Sequence, residues 1–264
     1  MESMLINGDC YEEIKKIPDK SIDLVYIDIP YLYNQGGSGS SELGERTAKK
    51  RLELMGADEK YLNSFDTKKE ALKIAKIKNL QLTNIENGLD YSIFDELVRV
   101  MKKIYIYIWC SKLQIRDILN YFCEKGCYFE ILCWCKTNPT PTTNNSWLPD
   151  IEYCLMFREP GTKLNDGYDL KHKFYVSSAN TSDKNKFKHP TIKPLEIVTN
   201  HILHSTQPGD VVLDCFMGSG TTCVACKNTN RKYIGIEIDQ TYFEIAKKRL
   251  ENEDANGQQS FFTT

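Results

Sequence analysis

The chain has 264 residues, of which 41% are hydrophobic, and a formal net charge of −2 at pH 7. This length and apolar content suffice for one large domain, or for one domain with an insertion, and apolar runs such as residues 104–110 are too short to cross a bilayer. The near-neutral charge excludes a surface that is basic throughout, so contact with a polyanion would depend on local basic patches.

Ten cysteines raise the question of disulfides or a zinc site, and their spacing favours neither. Cys133 and Cys135 alternate in a run typical of a strand, and Cys223 and Cys226 form one C-x-x-C without a second pair at the spacing of a zinc site. The N-terminus also lacks the layout of a signal peptide. We therefore expect reduced, buried thiols in a cytoplasmic protein without a metal or a membrane anchor, with metal or redox chemistry as the alternative.

Short apolar runs alternate with segments of helical character along most of the chain. Strands are predicted at residues 4–7, 22–28, 104–109, 128–135, 151–157, 211–214 and 233–238. Helices are predicted at about 9–16, 91–101 and 112–125, and others begin near Pro194, Thr221 and Thr241, the last with Glu244 in a capping box. This alternation predicts an α/β fold with a doubly wound, mostly parallel sheet.

Two segments interrupt the alternation. Residues 34–90 begin with a Gly/Ser-rich stretch and continue as a charged segment, which predicts a helical insertion. Residues 158–187 are polar with few apolar runs, and the stretch 184–193 is rich in lysine. A solvated surface explains such charge runs as well as a nucleic-acid contact does, and both interpretations stay open.

A glycine loop at residues 214–222 (DCFMGSGTT) follows one predicted strand and precedes a helix. Gly218 and Gly220 allow the backbone to approach a ligand closely, and the helix that follows offers free N–H donors. Glu237 ends the next predicted strand, where a carboxylate can accept two ribose hydroxyls. The segment therefore predicts a nucleoside-cofactor site, with a tight turn that binds no ligand as the alternative.

A second loop, Asp28-Ile29-Pro30-Tyr31, closes the predicted strand 22–28. The Asp28 carboxylate and the Ile29 carbonyl are two acceptors that can hold the N–H bonds of an amino nitrogen and localise its lone pair. Pro30 braces the loop, and Tyr31 offers a flat face for a base flipped out of a duplex. This arrangement predicts methylation of an exocyclic amine, and an ordinary structural turn is the alternative.

The two loops, in this order, resemble those of the β-class DNA amino-methyltransferases, in which the catalytic loop precedes the cofactor loop by circular permutation of the class I methyltransferase fold. The glycine loop is similar to the family's D-P-F-x-G-S-G-T-T, and residues 189–194 (HPTIKP) to its H-P-T-x-K-P. Cys215 and Ile29 stand where the family carries proline. The resemblance covers nearly the whole chain except residues 34–90 and 158–187.

The resemblance implies S-adenosylmethionine as the cofactor and double-stranded DNA as the substrate, with no metal. Its catalytic residues correspond to Asp28, Ile29, Pro30 and Tyr31. Its cofactor-binding residues correspond to Asp9, Cys10, Asp28, His189, Thr191, Lys193, Asp214, Phe216, Gly218, Ser219, Gly220, Thr221 and Glu237. Lys193 has a surface lysine as its alternative interpretation. We expect DNA contacts at Lys136, Asn138, Lys184, Lys186 and Lys188, although residues 136–139 also fit an ordinary Asn-Pro turn.

An aspartate at the first position of the catalytic motif favours the N6 amine of adenine as the target. The alternatives are cytosine N4, a catalytically silent cofactor- or DNA-binding subunit, and an enzyme that acts on RNA. The resemblance leaves open a homodimer and a separate restriction endonuclease as further partners, and it implies a bacterial or phage origin.

Together these patterns predict five parts of the chain. Residues 1–33 and 91–157 form the catalytic half of the methyltransferase domain, and 34–90 form the insertion. Residues 158–187 form a short target-recognition segment, 188–253 the cofactor-binding half, and 254–264 a flexible tail.

Overall fold

The computed structural model of the protein describes residues 2–31, 89–139, 141, 147–167, 171–179, 187 and 192–255. The chain divides into two compact units, one of Met1–Ile29, Asp90–Thr142 and Trp147–Thr264, and one of Pro30–Leu89 and Thr143–Ser146. All the helices and strands given below belong to the first unit. The predicted insertion lies outside the described residues except at Leu89 and Asp90.

Eight strands form a single sheet in the described part of the chain. They are β1 (Met4–Asn7), β2 (Leu24–Asp28), β3 (Tyr105–Cys110), β4 (Tyr128–Lys136), β5 (Ile151–Arg158), β6 (Phe174–Ser177), β7 (Val211–Asp214) and β8 (Lys232–Glu237). Their order in the sheet is β1-β8-β7-β2-β3-β5-β4-β6. Neighbouring strands are parallel except that β5 runs antiparallel to both β3 and β4. The predicted α/β fold with a mostly parallel sheet is confirmed.

The helices that accompany the sheet are α1 (Cys10–Glu13), α2 (Ile93–Val100), α3 (Ile115–Glu124), α4 (Leu195–Ser205), α5 (Thr221–Asn228) and α6 (Gln240–Ala255). In α2 the buried residues Ile93, Phe94, Leu97 and Val100 recur at helical spacing, which gives the helix one apolar face. None of the described helices has the length and the apolar character needed to span a membrane.

The core lies around the central strands, which are apolar except at the carboxylates that end β2 and β7. All six residues of β3 and all four of β7 are buried, as expected for strands covered on both faces. Tyr26, Trp109 and Trp134 pack in one cluster with Ile197 and Ile202 of α4. This packing holds the strand ends described below on a rigid base.

Two local predictions were wrong. The polar segment 158–187 contains the edge strand β6, which pairs with β4 in parallel. It was missed because it has only four residues and lies in a mostly polar segment. The last helix begins at Gln240 and not at Thr241, because Asp239 caps it by accepting the N–H groups of Thr241 and Tyr242 (2.7 and 3.1 Å).

Candidate active site

The carboxyl ends of β1, β8, β7 and β2 lie side by side because these four strands are parallel neighbours. Four predicted acidic residues, Asp9, Glu237, Asp214 and Asp28, therefore meet at one edge of the sheet. A cleft at this edge is lined by Asp28, Trp109, Lys193, Asp214, Phe216 and Gly218, among others. The two loops that the sequence singles out thus border the same cleft.

The glycine loop leads from β7 into α5, and its two glycines, Gly218 and Gly220, have backbones in the left-handed region. Gly220 has a φ of +79° and donates its N–H to Met217 O (2.8 Å). A Cβ built on Gly220 would lie 2.8 Å from Ala246 Cβ on α6. Both the conformation and the close approach therefore require glycine at this position.

Gly235 in β8 lies directly against Met217 of the glycine loop and Cys223 of α5. A Cβ at this position would overlap Met217 Sδ and would lie 2.7 Å from Cys223 Sγ. Our sequence interpretation did not single out Gly235, although a glycine inside a strand is a signal for the close approach of another segment.

The Glu237 carboxylate is held in a fixed orientation at the end of β8. Its Oε2 accepts the Gly218 N–H (2.9 Å) and its Oε1 accepts the Asp239 N–H (2.8 Å). Burial raises the pKa of Glu237. Each carboxylate oxygen still has capacity for a second hydrogen bond, so the group fits the paired ribose hydroxyls of a nucleoside such as S-adenosylmethionine.

Asp9 and Cys10 lie beside this position, after β1. Asp9 Oδ1 accepts the Tyr11 N–H (2.9 Å), which caps α1, and the preceding Gly8 N–H donates to Glu237 O (3.0 Å). Burial raises the pKa of the Cys10 thiol to about 12, so that it remains neutral. The predicted cofactor residues Asp9 and Cys10 are thus brought next to Glu237, the carboxylate predicted to bind the ribose.

Asp214 is almost fully buried at the start of the glycine loop. Its Oδ1 accepts the Phe216 N–H (3.1 Å). Burial raises the pKa of Asp214 to about 7, although hydrogen bonds from Thr222 and Phe216 act in the opposite direction. Phe216 itself is half-buried beside the cleft.

The raised pKa of Asp214 predicts a pH-dependent cost to folding. Its ordinary value is 3.8, so between about pH 4 and pH 7 the folded chain binds more protons than the unfolded chain and this contribution to stability falls as pH rises. We expect Asp214→Asn to remove this dependence of stability on pH. At pH 8 its free energy of unfolding should exceed that of the unmodified protein by up to ~4 kcal/mol, so that it unfolds at a higher urea concentration. Urea unfolding at pH 4 and pH 8 measures the difference.

Asp210→Asn, at the opposite end of β7, is the matched control. The expectation is contradicted if the stability difference between Asp214→Asn and the unmodified protein is the same at both pH values.

Arg249 on α6 is hydrogen-bonded to the glycine loop. Its Nη1 donates to Ser219 O (2.8 Å) and lies 3.2 Å from both Ser219 Oγ and Thr221 Oγ1. The guanidinium also lies 4.1 Å from the centroid of the Phe187 ring. An arginine in a charged helix resembles a surface residue in sequence, so only the structure identifies it as a positioning residue for the loop.

We expect Arg249→Lys to weaken binding of S-adenosylmethionine by ~10-fold, because one ammonium group cannot replace the guanidinium at the loop oxygens while it also covers the Phe187 ring. Isothermal titration of the cofactor measures this effect. Lys248→Arg, on the exposed neighbouring position, is the control, and an unchanged affinity in Arg249→Lys would contradict the assignment.

At the end of β2, Asp28 forms an ion pair with a buried lysine. Lys193 Nζ donates to Asp28 Oδ2 at 2.6 Å, and the lysine side chain is only 5% exposed. The same Nζ lies 3.1 Å from Glu152 Oε2 and 5.3 Å from the centroid of the Trp109 ring. The interpretation of Lys193 as a surface lysine is therefore wrong.

Glu152, near the start of β5, links this pair to Lys136 at the end of β4. Burial raises the pKa of Glu152, but the charges of Lys193 and Lys136 and their hydrogen bonds outweigh it and hold the value at about 2. Burial likewise lowers the pKa of Lys193, and Asp28 and Glu152 reverse this and raise it. Glu152 and Lys193 therefore stay charged at neutral pH. Sequence analysis missed Glu152, whose only signal is a carboxylate in an otherwise apolar strand.

The residues predicted to face DNA are less completely described. Asn138 Oδ1 accepts the Ala179 N–H (2.5 Å), and the Lys136 side chain is engaged by Glu152. Lys184, Lys186 and Lys188, as well as the predicted cofactor residues His189 and Thr191, lie outside the described residues. Their roles stay predictions.

Comparison with known proteins agrees with this geometry. The family model of the N6/N4 methyltransferases, described as DNA methylase, matches residues 22–248. The chain is 30% identical over 279 residues to the type II methyltransferase M.HpaI of Haemophilus parainfluenzae, with 96% of this chain and 76% of that protein covered. It is 28% identical over 264 residues to the type II methyltransferase M2.LlaDCHI of Lactococcus lactis subsp. cremoris, with 94% and 89% covered.

Solved structures lead to the same fold. The complex of M1.HpyAVI with SAM superimposes with a TM-score of 0.62 at 25% identity and covers 94% of this chain and 98% of that one. The cytosine-N4-specific PvuII DNA methyltransferase has a TM-score of 0.63 at 15% identity, with 97% and 94% covered, and this likeness concerns the fold. The predicted class I methyltransferase fold and the predicted cofactor are confirmed. The chain belongs to the N6/N4 DNA methylase family and is an S-adenosylmethionine-dependent DNA amino-methyltransferase.

Proposed function

We propose that this enzyme methylates the exocyclic N6 amine of an adenine flipped out of double-stranded DNA. The observation that carries the proposal is the cleft lined by Asp28, its partner Lys193 and the glycine loop. Glu237 is hydrogen-bonded to that loop at the same edge of the sheet. An aspartate at the first position of the catalytic motif favours adenine over cytosine as the target base.

The residues around Asp28 suit activation of a weakly nucleophilic amine. The Asp28 carboxylate accepts one amine N–H, and the Ile29 carbonyl accepts the other. Ile29 is buried and donates its own N–H to Trp109 O (3.2 Å), which holds the backbone of this residue at the end of β2. Pro30 and Tyr31 follow directly in the chain, and we assign Tyr31 to stacking on the flipped base.

S-adenosylmethionine supplies a methyl group activated by the positive charge on its sulfur. We assign Glu237 to its ribose hydroxyls, Asp9, Cys10 and Phe216 to the surroundings of its adenine, and the glycine loop to close backbone contact. With two acceptors on the amine, its nitrogen lone pair would attack the methyl carbon as the carbon–sulfur bond breaks, and Asp28 would stabilise the positive charge that develops on that nitrogen. The methylated amine would then release one proton to solvent, and the cofactor would leave as neutral S-adenosylhomocysteine.

The test is methyl transfer from labelled S-adenosylmethionine to unmethylated duplex DNA, with the product nucleosides separated by mass spectrometry. N6-methyladenine supports the proposal, and sequencing of the product then defines the site. N4-methylcytosine would correct the base, and methylation of structured RNA in preference to duplex DNA would overturn the substrate. Cofactor binding without transfer to any nucleic acid would favour a silent subunit.

A further inference from the structure

Four charged side chains alternate in sign across the middle of the sheet. Lys136 pairs with Glu152 Oε1, Glu152 Oε2 lies 3.1 Å from Lys193 Nζ, and Lys193 Nζ lies 2.6 Å from Asp28 Oδ2. We call these residues the charge chain. Because each charge loses solvation when it is buried, an array of this kind persists only where every member is paired, and it is weak support for stability alone. One end of the charge chain is Asp28, the proposed catalytic carboxylate, and the other end is Lys136.

Glu152 locates the Lys193 ammonium group relative to Asp28. A lysine side chain has four rotatable bonds, so one ion pair to Asp28 leaves its position poorly determined. Glu152 belongs to β5, which is hydrogen-bonded to both β3 and β4, and therefore offers a second anchor on a rigid strand. Together with the Trp109 ring, the two carboxylates fix Nζ from three directions.

Glu152 also balances the charge that Lys193 brings to the site. An amine nitrogen that attacks a methyl group becomes positively charged, and an ammonium beside the Asp28 carboxylate opposes this change. The second carboxylate on the same ammonium offsets that effect, because Asp28, Lys193 and Glu152 together carry a net charge of −1 when all are ionised. The other oxygen of Glu152, Oε1, forms an ion pair with Lys136.

We propose that Glu152 is a positioning residue for methyl transfer, which holds Lys193 on Asp28 and balances its charge so that Asp28 stays oriented and negatively charged toward the target amine. This inference rests on the proposed function of Asp28. It differs from the predicted role of Lys193 in cofactor binding, because the effect falls on the rate of transfer and not on cofactor affinity.

The titratable groups that face Lys193 in the described residues are Asp28 on β2, Cys110 on β3, and Glu152 and Cys154 on β5. Burial raises the pKa of Cys110 to about 12 and that of Cys154 further, so both thiols are neutral in the working range. Loss of the Glu152 charge leaves Asp28 as the one carboxylate opposing the burial of Lys193, and the pKa of Lys193 then falls.

The test compares Glu152→Gln with the unmodified protein in single-turnover transfer at saturating duplex DNA and S-adenosylmethionine. We expect the rate to fall by ~10- to 100-fold, while the dissociation constant of the cofactor, measured by isothermal titration, changes by less than about 3-fold. We also expect the loss of rate to persist when rates are compared per folded molecule. A purely structural role would lower the rate only in proportion to the folded fraction.

Two further variants keep the test decisive. Glu152→Asp retains the charge but is shorter by one methylene, and we expect it to recover part of the rate that Glu152→Gln loses. Glu130→Gln is the matched control. Glu130 Oε2 also pairs with a lysine, at 2.6 Å from Lys173 Nζ, but this pair is exposed, and we expect no effect on the rate. A rate in Glu152→Gln equal to that of the unmodified protein overturns the inference, as does a rise in the cofactor dissociation constant that accounts for the loss.

If Glu152→Gln does not fold, full transfer by Glu152→Asp likewise overturns it. Failure of the unmodified protein to methylate any nucleic acid refutes the proposed function instead, so the two failures are distinguishable.

Discussion

Asp28→Asn is expected to lower the single-turnover rate of methyl transfer by ~10³-fold or more and to change the affinity for S-adenosylmethionine only a few-fold. The substitution keeps the size of the side chain but removes the negative charge that stabilises the developing positive charge on the amine. It also turns one of the two oxygens into an N–H donor, which cannot accept a hydrogen bond from the substrate. The measurement is rapid-quench transfer to duplex DNA together with calorimetric titration of the cofactor.

The same substitution affects Lys193, which keeps Glu152 as its remaining carboxylate partner. Removing one member of a buried ion pair costs up to ~3–5 kcal/mol, so the folded fraction has to be measured by urea unfolding before rates are compared. Asp117→Asn, on the exposed side of α3, serves as the control. Transfer by Asp28→Asn within about 10-fold of the unmodified rate would rule out Asp28 as the catalytic carboxylate.

Gly220→Ala is expected to destabilise the protein by ~3–5 kcal/mol, which corresponds to a fall in melting temperature of ~6–20 °C for a chain of this size. Two costs add at this position. The φ of +79° is unfavourable for any residue with a Cβ, and the new Cβ would lie 2.8 Å from Ala246 Cβ and 3.3 Å from Ala246 Cα. Because the glycine loop must shift to relieve the overlap, binding of S-adenosylmethionine should weaken as well.

Gly126→Ala separates these two costs. Gly126 follows α3 with a nearly identical φ of +74°, but a Cβ there would meet no atom within 4 Å. We therefore expect Gly126→Ala to cost only ~1–2 kcal/mol and to leave cofactor binding unchanged. The double variant Gly220→Ala/Ala246→Gly should recover the part due to overlap. Equal losses in the two single variants would show that the contact with α6 contributes nothing.

The parts of the site that sequence analysis predicted are those built from neighbours in the chain. The glycine loop lies between one strand and one helix, and Glu237 ends the very next strand, so a short stretch of sequence contains the whole cofactor-side pattern. The catalytic loop is local in the same way. Alternation of apolar runs and helices also sufficed for the α/β class, because strands that are covered on both faces are mostly apolar.

The edge strand β6 shows the limit of such patterns. It has four residues, and two of them, Phe174 and Val176, are exposed apolar side chains in a segment that is otherwise polar. Phe, Tyr and Val favour strands, but a run of four residues is too short to predict one, and the pairing with β4 establishes it.

By itself the sequence determined the fold class, the order of the two loops and the chemistry that those loops imply. Only the tertiary structure decided which charges meet. Lys193 and Asp28 are separated by 165 positions, and they come together because α4, which Lys193 precedes, packs against Tyr26 of β2 and Trp109 of β3. Glu152 joins them because β2, β3 and β5 are neighbours in the sheet. Strand order of this kind follows from how all the elements pack together, and no local pattern of residues encodes it.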